Sequence, residues 1–406
     1  MQNRFPVSPH PAAAEAGAEA VGSIPPSPSQ TAGSADPLVP WPDNLSRALA
    51  RRQLPGLDAL RAFSVLLVVF YHHDYPMPGS LGVLSFFVLS GFLITWLLLH
   101  EHRKHGAISL RRFYVRRALR LFPAFYLYWL VATGLLLATG KFILWPQAWS
   151  AFFYVNNYYQ AVAGHFGSVY SHTWSLAVEE QFYLLWPVAL IALLRRRANL
   201  PAVLMAAIGV AWVWRAVLMF GYGVHGAWIY EAFDARADHL LMGCLLAVAL
   251  ERKLFGRFWA AVCSHRLLPA VTVGLLALEV AAGHAMGGTD HFADFILQPL
   301  LVAILLVQIM AFASTPGWRW LNWAPLAYIG KISYSIYLHQ QFTPSLVKPL
   351  IAGFPGPVIL ITLPAIVATA SASYYLVERR FLILKEKYGE RPPPEGLAAL
   401  ARAVDK

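Results

Sequence analysis

Apolar runs of about 17–23 residues, the length that carries a helix across a bilayer, recur along this chain at 57–74, 80–99, 121–139, 174–194, 201–221, 236–250, 267–284, 295–313, 324–343 and 356–377, the sixth shorter than the rest. Inside lipid every backbone polar group must find its partner within the protein, so segments of this kind are restricted to helices. The runs therefore predict an all-α fold, a polytopic transmembrane helix bundle of about ten spans with both termini on one side. Composition agrees: 58% of the 406 residues are hydrophobic and 13% charged, with mean hydropathy +0.51, which is too apolar for a soluble domain. Fourteen Trp and eighteen Tyr suit a protein with two water–lipid interfaces.

Charge sets the expected orientation. One side of the bundle collects Arg51, Arg52, Arg103, Lys104, the arginines of 111–120 and 195–197, Arg252, Lys253, Arg257, Arg266, Arg319, Lys331 and the 379–391 cluster, while the other holds only Lys141, Arg236 and Lys348. The positive-inside rule places the basic side, and both termini, in the cytoplasm of a cell whose inner or plasma membrane holds the protein. The net charge of +11 is thereby explained without nucleic acid, because the cations are dispersed among spans and not gathered on one soluble face. Cys244 and Cys263 are the only cysteines, which excludes a disulfide framework and a Cys-based zinc site.

Residues 1–50, rich in Pro, Ala, Ser and Gly, read as a disordered cytoplasmic tail. No basic segment there runs into an apolar core, so no cleavable signal peptide is expected. The membrane domain is expected over 51–388, followed by a short disordered tail at 389–406.

Arg61 and His72 lie within the first apolar run. Ionisable groups at membrane depth are costly and mark pathways or reactions. Eleven helical steps of about 100° return nearly to the starting direction, so the pair shares one face, separated by roughly 16 Å along the axis. Arg61 is expected at the cytoplasmic end and His72 at the outer end. Glu179 and Glu180, one to two turns inside the fourth run, are expected near the depth of His72, where a carboxylate orients an imidazole and stabilises its cation; the alternative is a polar pair that holds helices together.

Arg116, Arg117 and Arg120 follow i, i+1, i+4 spacing where the third run begins, which puts at least two guanidiniums on one helical face. Such forks match phosphate oxygens and suit a phosphorylated donor such as coenzyme A, or else anionic lipid. Arg236, Asp234 and Asp238 either pair with one another or line an entrance. Ser333, Ser335, His339, Gln340 and Gln341 place hydroxyls, an imidazole and amides along the ninth run, the serines as helix-packing residues. Glu378, beside Arg379 and Arg380, is expected to be an interfacial ion-pair partner. The histidines at 100, 102 and 105 read as solvated loop residues, and no metal site is expected. Walker, dinucleotide, zincin and nucleophile-elbow motifs are absent from the sequence.

Taken in order, Arg61 with ten residues to His72, Ser85-Phe-Phe-Val-Leu-Ser-Gly-Phe-Leu-Ile94, Arg116-Arg-Ala-Leu-Arg120, Thr173-Trp-Ser-Leu-Ala-Val-Glu-Glu-Gln-Phe-Tyr-Leu-Leu-Trp-Pro187, Arg236 to Gly243 and Ile332-Ser-Tyr-Ser-Ile-Tyr-Leu338 resemble the motifs of the acyltransferase-3 family of integral membrane O-acyltransferases. The resemblance covers about 54–385. It implies a ten-span enzyme that moves an acyl group, often acetyl, from cytoplasmic acyl-CoA to a hydroxyl of an extracytoplasmic glycan, lipid-linked saccharide or small molecule, with no tightly bound cofactor. It further implies that Arg61 and His72 form the catalytic-helix pair, that Arg116, Arg117 and Arg120 bind the CoA, and that His72 acts as general base or acyl carrier. Glu179 and Glu180 join them as candidates to position His72. Two places depart from the family pattern: His339 precedes Gln340 where many members carry a hydrophobic residue and then His, and Glu378-Arg-Arg-Phe381 replaces Glu-x-Pro-Phe. The extra esterase-like domain of some relatives is not expected here. The competing function is a transporter or flippase that uses the intramembrane Arg, His and Glu as a substrate or proton path.

Overall fold

The computed structural model describes residues 41–51, 53–285 and 292–388. Most of both expected tails, 1–40 and 389–406, as well as Arg52 and Arg391, lies outside the described residues. The described chain is helical, without strands: α1 (Asp43–Leu49), α2 (Leu57–Tyr71), α3 (Gly79–His105), α4 (Leu110–Ala138), α5 (Trp145–Phe152), α6 (Asn156–Ala163), α7 (Thr173–Arg195), α8 (Leu200–Ala216), α9 (Ala227–Glu231), α10 (Phe233–Glu251), α11 (Gly256–Val262), α12 (Leu268–Ala285), α13 (Asp294–Phe312), α14 (Ala324–Lys331), α15 (Ser333–Val347), α16 (Ile359–Ser373) and α17 (Arg379–Glu386). Helix α1 corrects the expected tail over 1–50, because Leu45 and Ala48 bury their side chains and the helix packs on α13.

Among the described residues seven helices are long and apolar enough to cross a membrane: α3, α4, α7, α8 with its continuation to Gly221, α12, α13, and α16 continued through α17. The remaining expected runs are helical but differ in form. The run at 57–74 is the 15-residue α2, the run at 236–250 is α10, interrupted in hydropathy by Asp234, Arg236 and Asp238, and the run at 324–343 breaks at Ile332 into α14 and α15. Polarity is arranged as lipid demands. Val210, Leu278 and Leu360 are well exposed, whereas Arg215, Asp238 and His239 are buried.

Helix α2 has Val65, Val68 and Val69 closed off from solvent and packs against α3, α14 and α15. A very close crossing joins α3 to α10. A Cβ built on Gly91 would stand 1.9 Å from the Leu240 carbonyl oxygen, and one on Gly243 would stand 2.0 Å from that of Val88. The two backbones touch, as small residues allow in membrane helices, and backbone cannot yield as a flexible side chain can. Gly91→Ala is expected to force the helices apart and cost about 1–3 kcal/mol, read as a lowered Tm in detergent. Gly134→Ala, which meets open space, is the control and should be neutral or slightly stabilising; equal Tm values for both variants would refute the crossing.

Candidate active site

At the basic end of α2, Arg61 Nη1 pairs with Asp58 Oδ1 at 2.9 Å. Arg61, Arg117, Arg120 and Glu179 line one cavity of about 250 Å³, with Ser90 and Tyr183. Arg61, Leu93 and Leu97 also wall a second, open cavity of about 600 Å³ that continues from it toward Arg51 and Trp96. Glu179 accepts hydrogen bonds from Ser90 Oγ at 2.9 Å and the Tyr183 hydroxyl at 3.0 Å. The Arg117 guanidinium stacks 4.1 Å above the Tyr183 ring. Three guanidiniums, one of them paired with Asp58, thus share a largely apolar chamber with one carboxylate in its walls, leaving surplus positive charge for an anion.

The arginine triplet divides. Arg116 Nη2 bonds Glu101 Oε2 at 3.1 Å, and Arg112, one turn earlier, takes Glu101 Oε1 at 3.0 Å. Arg112 and Arg116 (i, i+4) form one face of α4 and Arg117 and Arg120 (i, i+3) another. Only the second faces the cavity, so Arg116 departs from the expected donor clamp and helps anchor α4 to α3.

His72 caps α2 at the other end. Its Nδ1 stands 2.8 Å from the Val68 carbonyl, and the ring opens on a shallow basin with Tyr71, Asp74 and Tyr75. A carbonyl accepts only, so this bond assigns the proton to Nδ1 and leaves Nε2 with its lone pair. The expected contact between His72 and Glu179 or Glu180 is not formed. The first turn of α7 is buried in the bundle rather than placed at its rim, since His172, Thr173 and Trp174 are all enclosed. Glu179 is seven residues below His172, about 10 Å deeper, and it reaches the Arg61 end instead. Glu180 is not among the residues of that cavity wall.

Around His72 the structure gathers residues that spacing could not reveal. The His172 ring meets Tyr128 and Tyr337 edge-on at centroid distances of 5.7 and 5.4 Å, and its Nδ1 lies 3.1 Å from Gln341 Oε1. His339 Nδ1 is held by the Ser335 carbonyl at 2.9 Å. His73 uses both nitrogens, on the Val69 carbonyl and Thr362 Oγ1, each at 2.8 Å, and so ties α2 to α16. The only sequence signal for His172 was its place just before the Trp174-Ser-Leu motif.

The other expected clusters make these contacts, and Arg236 also lines a small cavity with Tyr230 and Asp294. Asp238 pairs with Arg215, fully buried, at 2.7 Å, Asp234 accepts from Trp214 Nε1 at 2.8 Å, and Arg236 Nε donates to the Tyr230 carbonyl at 2.7 Å. Glu378 is buried and takes a hydrogen bond from Ser335 Oγ, so it is not an interfacial ion-pair partner. Among the described residues no three His, Cys, Asp or Glu side chains form a metal-binding group.

Outside the spans, in the loop before α7, His165 Nδ1 meets Glu231 Oε1 at 2.7 Å. That hydrogen bond, with the carboxylate charge adding to it against a desolvation penalty, holds the imidazole above its ordinary value of 6.5. The folded form therefore retains the proton more tightly than the unfolded one. With Glu231 ionised, although burial pushes its carboxyl up, stabilisation by the pair is full below about pH 6.5 and is lost as pH rises through the folded pKa of His165. The Tm gap between the natural protein and Glu231→Gln should shrink from about pH 6 to about pH 9; a gap constant with pH would refute the pairing.

Comparison with known proteins follows this geometry. A model described as Acyltransferase domain matches residues 54–378. The peptidoglycan O-acetyltransferase OatA of Listeria monocytogenes is 31% identical over 83% of this chain and 56% of its own length. The O-acetyltransferase OatA of Staphylococcus aureus is 32% identical over 72% of this chain and 51% of its own. YrhL of Bacillus subtilis, which carries a provisional peptidoglycan O-acetyltransferase name, is 31% identical over 81% and 55%. The chain spans about half the length of the curated relatives it matches. No solved structure matches. With the family model covering most of the sequence and apolar helices sufficient for repeated membrane crossing, the chain is a multi-pass integral membrane protein and belongs to the acyltransferase-3 family.

Proposed function

We propose that this protein is a ten-span membrane O-acetyltransferase, both termini cytoplasmic, that carries acetyl from cytoplasmic acetyl-CoA to a hydroxyl of an extracytoplasmic, peptidoglycan-like glycan. The observation that carries the reading is the division of α2: a cationic chamber of Arg61, Arg117 and Arg120 at one end and an oriented imidazole at the other. The chamber suits the phosphates of the donor. The roughly 16 Å between Arg61 and His72 is a length that a pantetheine arm can bridge.

His72 Nε2 is the ring nitrogen that the Val68 bond leaves free. As general base it takes the proton of the acceptor hydroxyl while that oxygen attacks the thioester carbon; as nucleophile it would first take the acetyl group itself. The Val68 carbonyl performs the orienting task that a carboxylate performs in other imidazole sites, fixing tautomer and ring plane. The named relatives act as acetyltransferases, and no observation favours transport.

Proteoliposomes test the reading. Labelled acetyl-CoA supplied on the basic side, with peptidoglycan fragments on the other, should transfer label to the fragments as alkali-labile esters. Absence of transfer, or label accepted only on the donor side, would refute it.

A further inference from the structure

Gln340 is 1% exposed, and neither its amide nitrogen nor its amide oxygen makes a hydrogen bond within the protein. A buried, unused amide lowers stability, so its presence calls for a purpose other than packing. Gln340 lies on α15, which packs against α2, and its amide stands beside the His72 ring without meeting hydrogen-bond geometry.

The neighbouring polar groups are already engaged. His339 Nδ1 is on the Ser335 carbonyl. The Tyr337 hydroxyl is shared between the His172 carbonyl and Ser175 Oγ. His172 Nε2 is also buried and unpartnered, but with Nδ1 donating to the Gln341 amide oxygen the neutral ring presents only a lone pair at Nε2. Of Tyr337, His172, His339 and Gln340, the last alone keeps an unused N–H. Acyl transfer needs such a donor, because charge develops on the carbonyl oxygen as the tetrahedral centre forms.

We propose that Gln340 is a catalytic residue of the acyl transfer, its Nε2–H donating to the acyl carbonyl oxygen as that oxygen becomes an oxyanion beside His72. The inference rests on the acetyl-CoA reading above and deepens it. In the direct route, the acceptor oxygen forms a bond to the thioester carbon as its proton passes to His72 Nε2, and the C=O π pair moves onto the oxygen held by Gln340. That pair then re-forms the carbonyl and expels the thiolate of CoA, which recovers the proton from His72. The products are the acetyl ester and free CoA thiol, with no further reactant. The amide, unused at rest, gains its partner only as charge develops, which is the condition for raising kcat rather than merely tightening binding.

The experiment uses the full chain in proteoliposomes with acetyl-CoA and a soluble disaccharide peptidoglycan fragment, comparing the natural protein with His72→Ala, Gln340→Met and Gln340→His. Gln340→Met, similar in volume and without a donor, should lower kcat by about 10²–10³-fold with the acetyl-CoA KM nearly unchanged, and its Tm should equal or exceed that of the natural protein. Gln340→His restores an N–H and should recover activity above the Met variant. Unchanged kcat in Gln340→Met, a raised KM alone, failure of the His variant to exceed it, or a lowered Tm marking the amide as a packing group would each overturn the assignment. A natural protein inert toward acetyl-CoA, or a fully active His72→Ala, would instead remove the reading beneath it; an active natural protein, an inert His72→Ala and an undiminished Gln340→Met remove the oxyanion role alone.

Discussion

His72→Ala is expected to reduce acetyl transfer by at least about 10³-fold, toward the upper range for loss of a positioned acid–base group, while the protein inserts and folds. The imidazole makes one structural hydrogen bond, to a carbonyl of its own helix, and it borders an open basin rather than the closed core. Its removal leaves little unsatisfied. The adjacent residue supplies the contrast. His73 points about 100° away and bonds both the Val69 carbonyl and Thr362, so His73→Ala should lower Tm through a lost buried hydrogen bond, about 1–3 kcal/mol, and keep most of the activity per folded molecule. Initial rates and thermal unfolding measured on both variants separate the roles. An active His72→Ala, or an inert but fully stable His73→Ala, would reverse the assignment.

The parts of this molecule legible in its sequence are those that depend on one helix at a time. Hydropathy located the helices, and the eleven-residue interval put Arg61 and His72 on a single element, where α2 carries both. What the sequence left open depends on neighbours. Arg116 and Arg117 are adjacent in sequence, yet Glu101, fifteen residues before Arg116, draws one toward α3 while the other turns to the cavity. Glu179 lies deeper than its position in the run implies, because the stretch before α7 folds into the bundle and begins that helix at depth. The Arg215–Asp238 pair joins α8 to α10; a charge inside the 201–221 run is as costly as Arg61 in the first, but the run by itself does not name the partner. The short α2 and the broken α14–α15 pair also differ from uniform spans. Run length in sequence records apolar residues, whereas helix ends record turns such as Gly56, at φ +75°, which stops α2 on its N-terminal side.

Arg117→Gln combined with Arg120→Gln should raise the acetyl-CoA KM by on the order of 10²-fold, since hydrogen bonds to charged groups are worth about 1.5–3 kcal/mol each and both side chains face the chamber. Arg116→Gln should leave KM nearly unchanged and reduce stability instead, because it empties one arm of the Glu101 fork. The family motif groups the three arginines together, so the contrast between 116 and the 117/120 pair tests the cavity rather than the motif. Salt offers a second measurement. If the chamber holds phosphates, the natural protein's KM should rise with ionic strength, and the rise should be smaller in the double variant, where fewer charge contacts remain to be screened. Topology must be checked on the same preparations by protease accessibility, since removal of two cations also weakens the orienting bias. In correctly oriented protein, an unchanged KM in the double variant, or an equal rise for Arg116→Gln, would show that the donor does not bind between Arg61, Arg117 and Arg120.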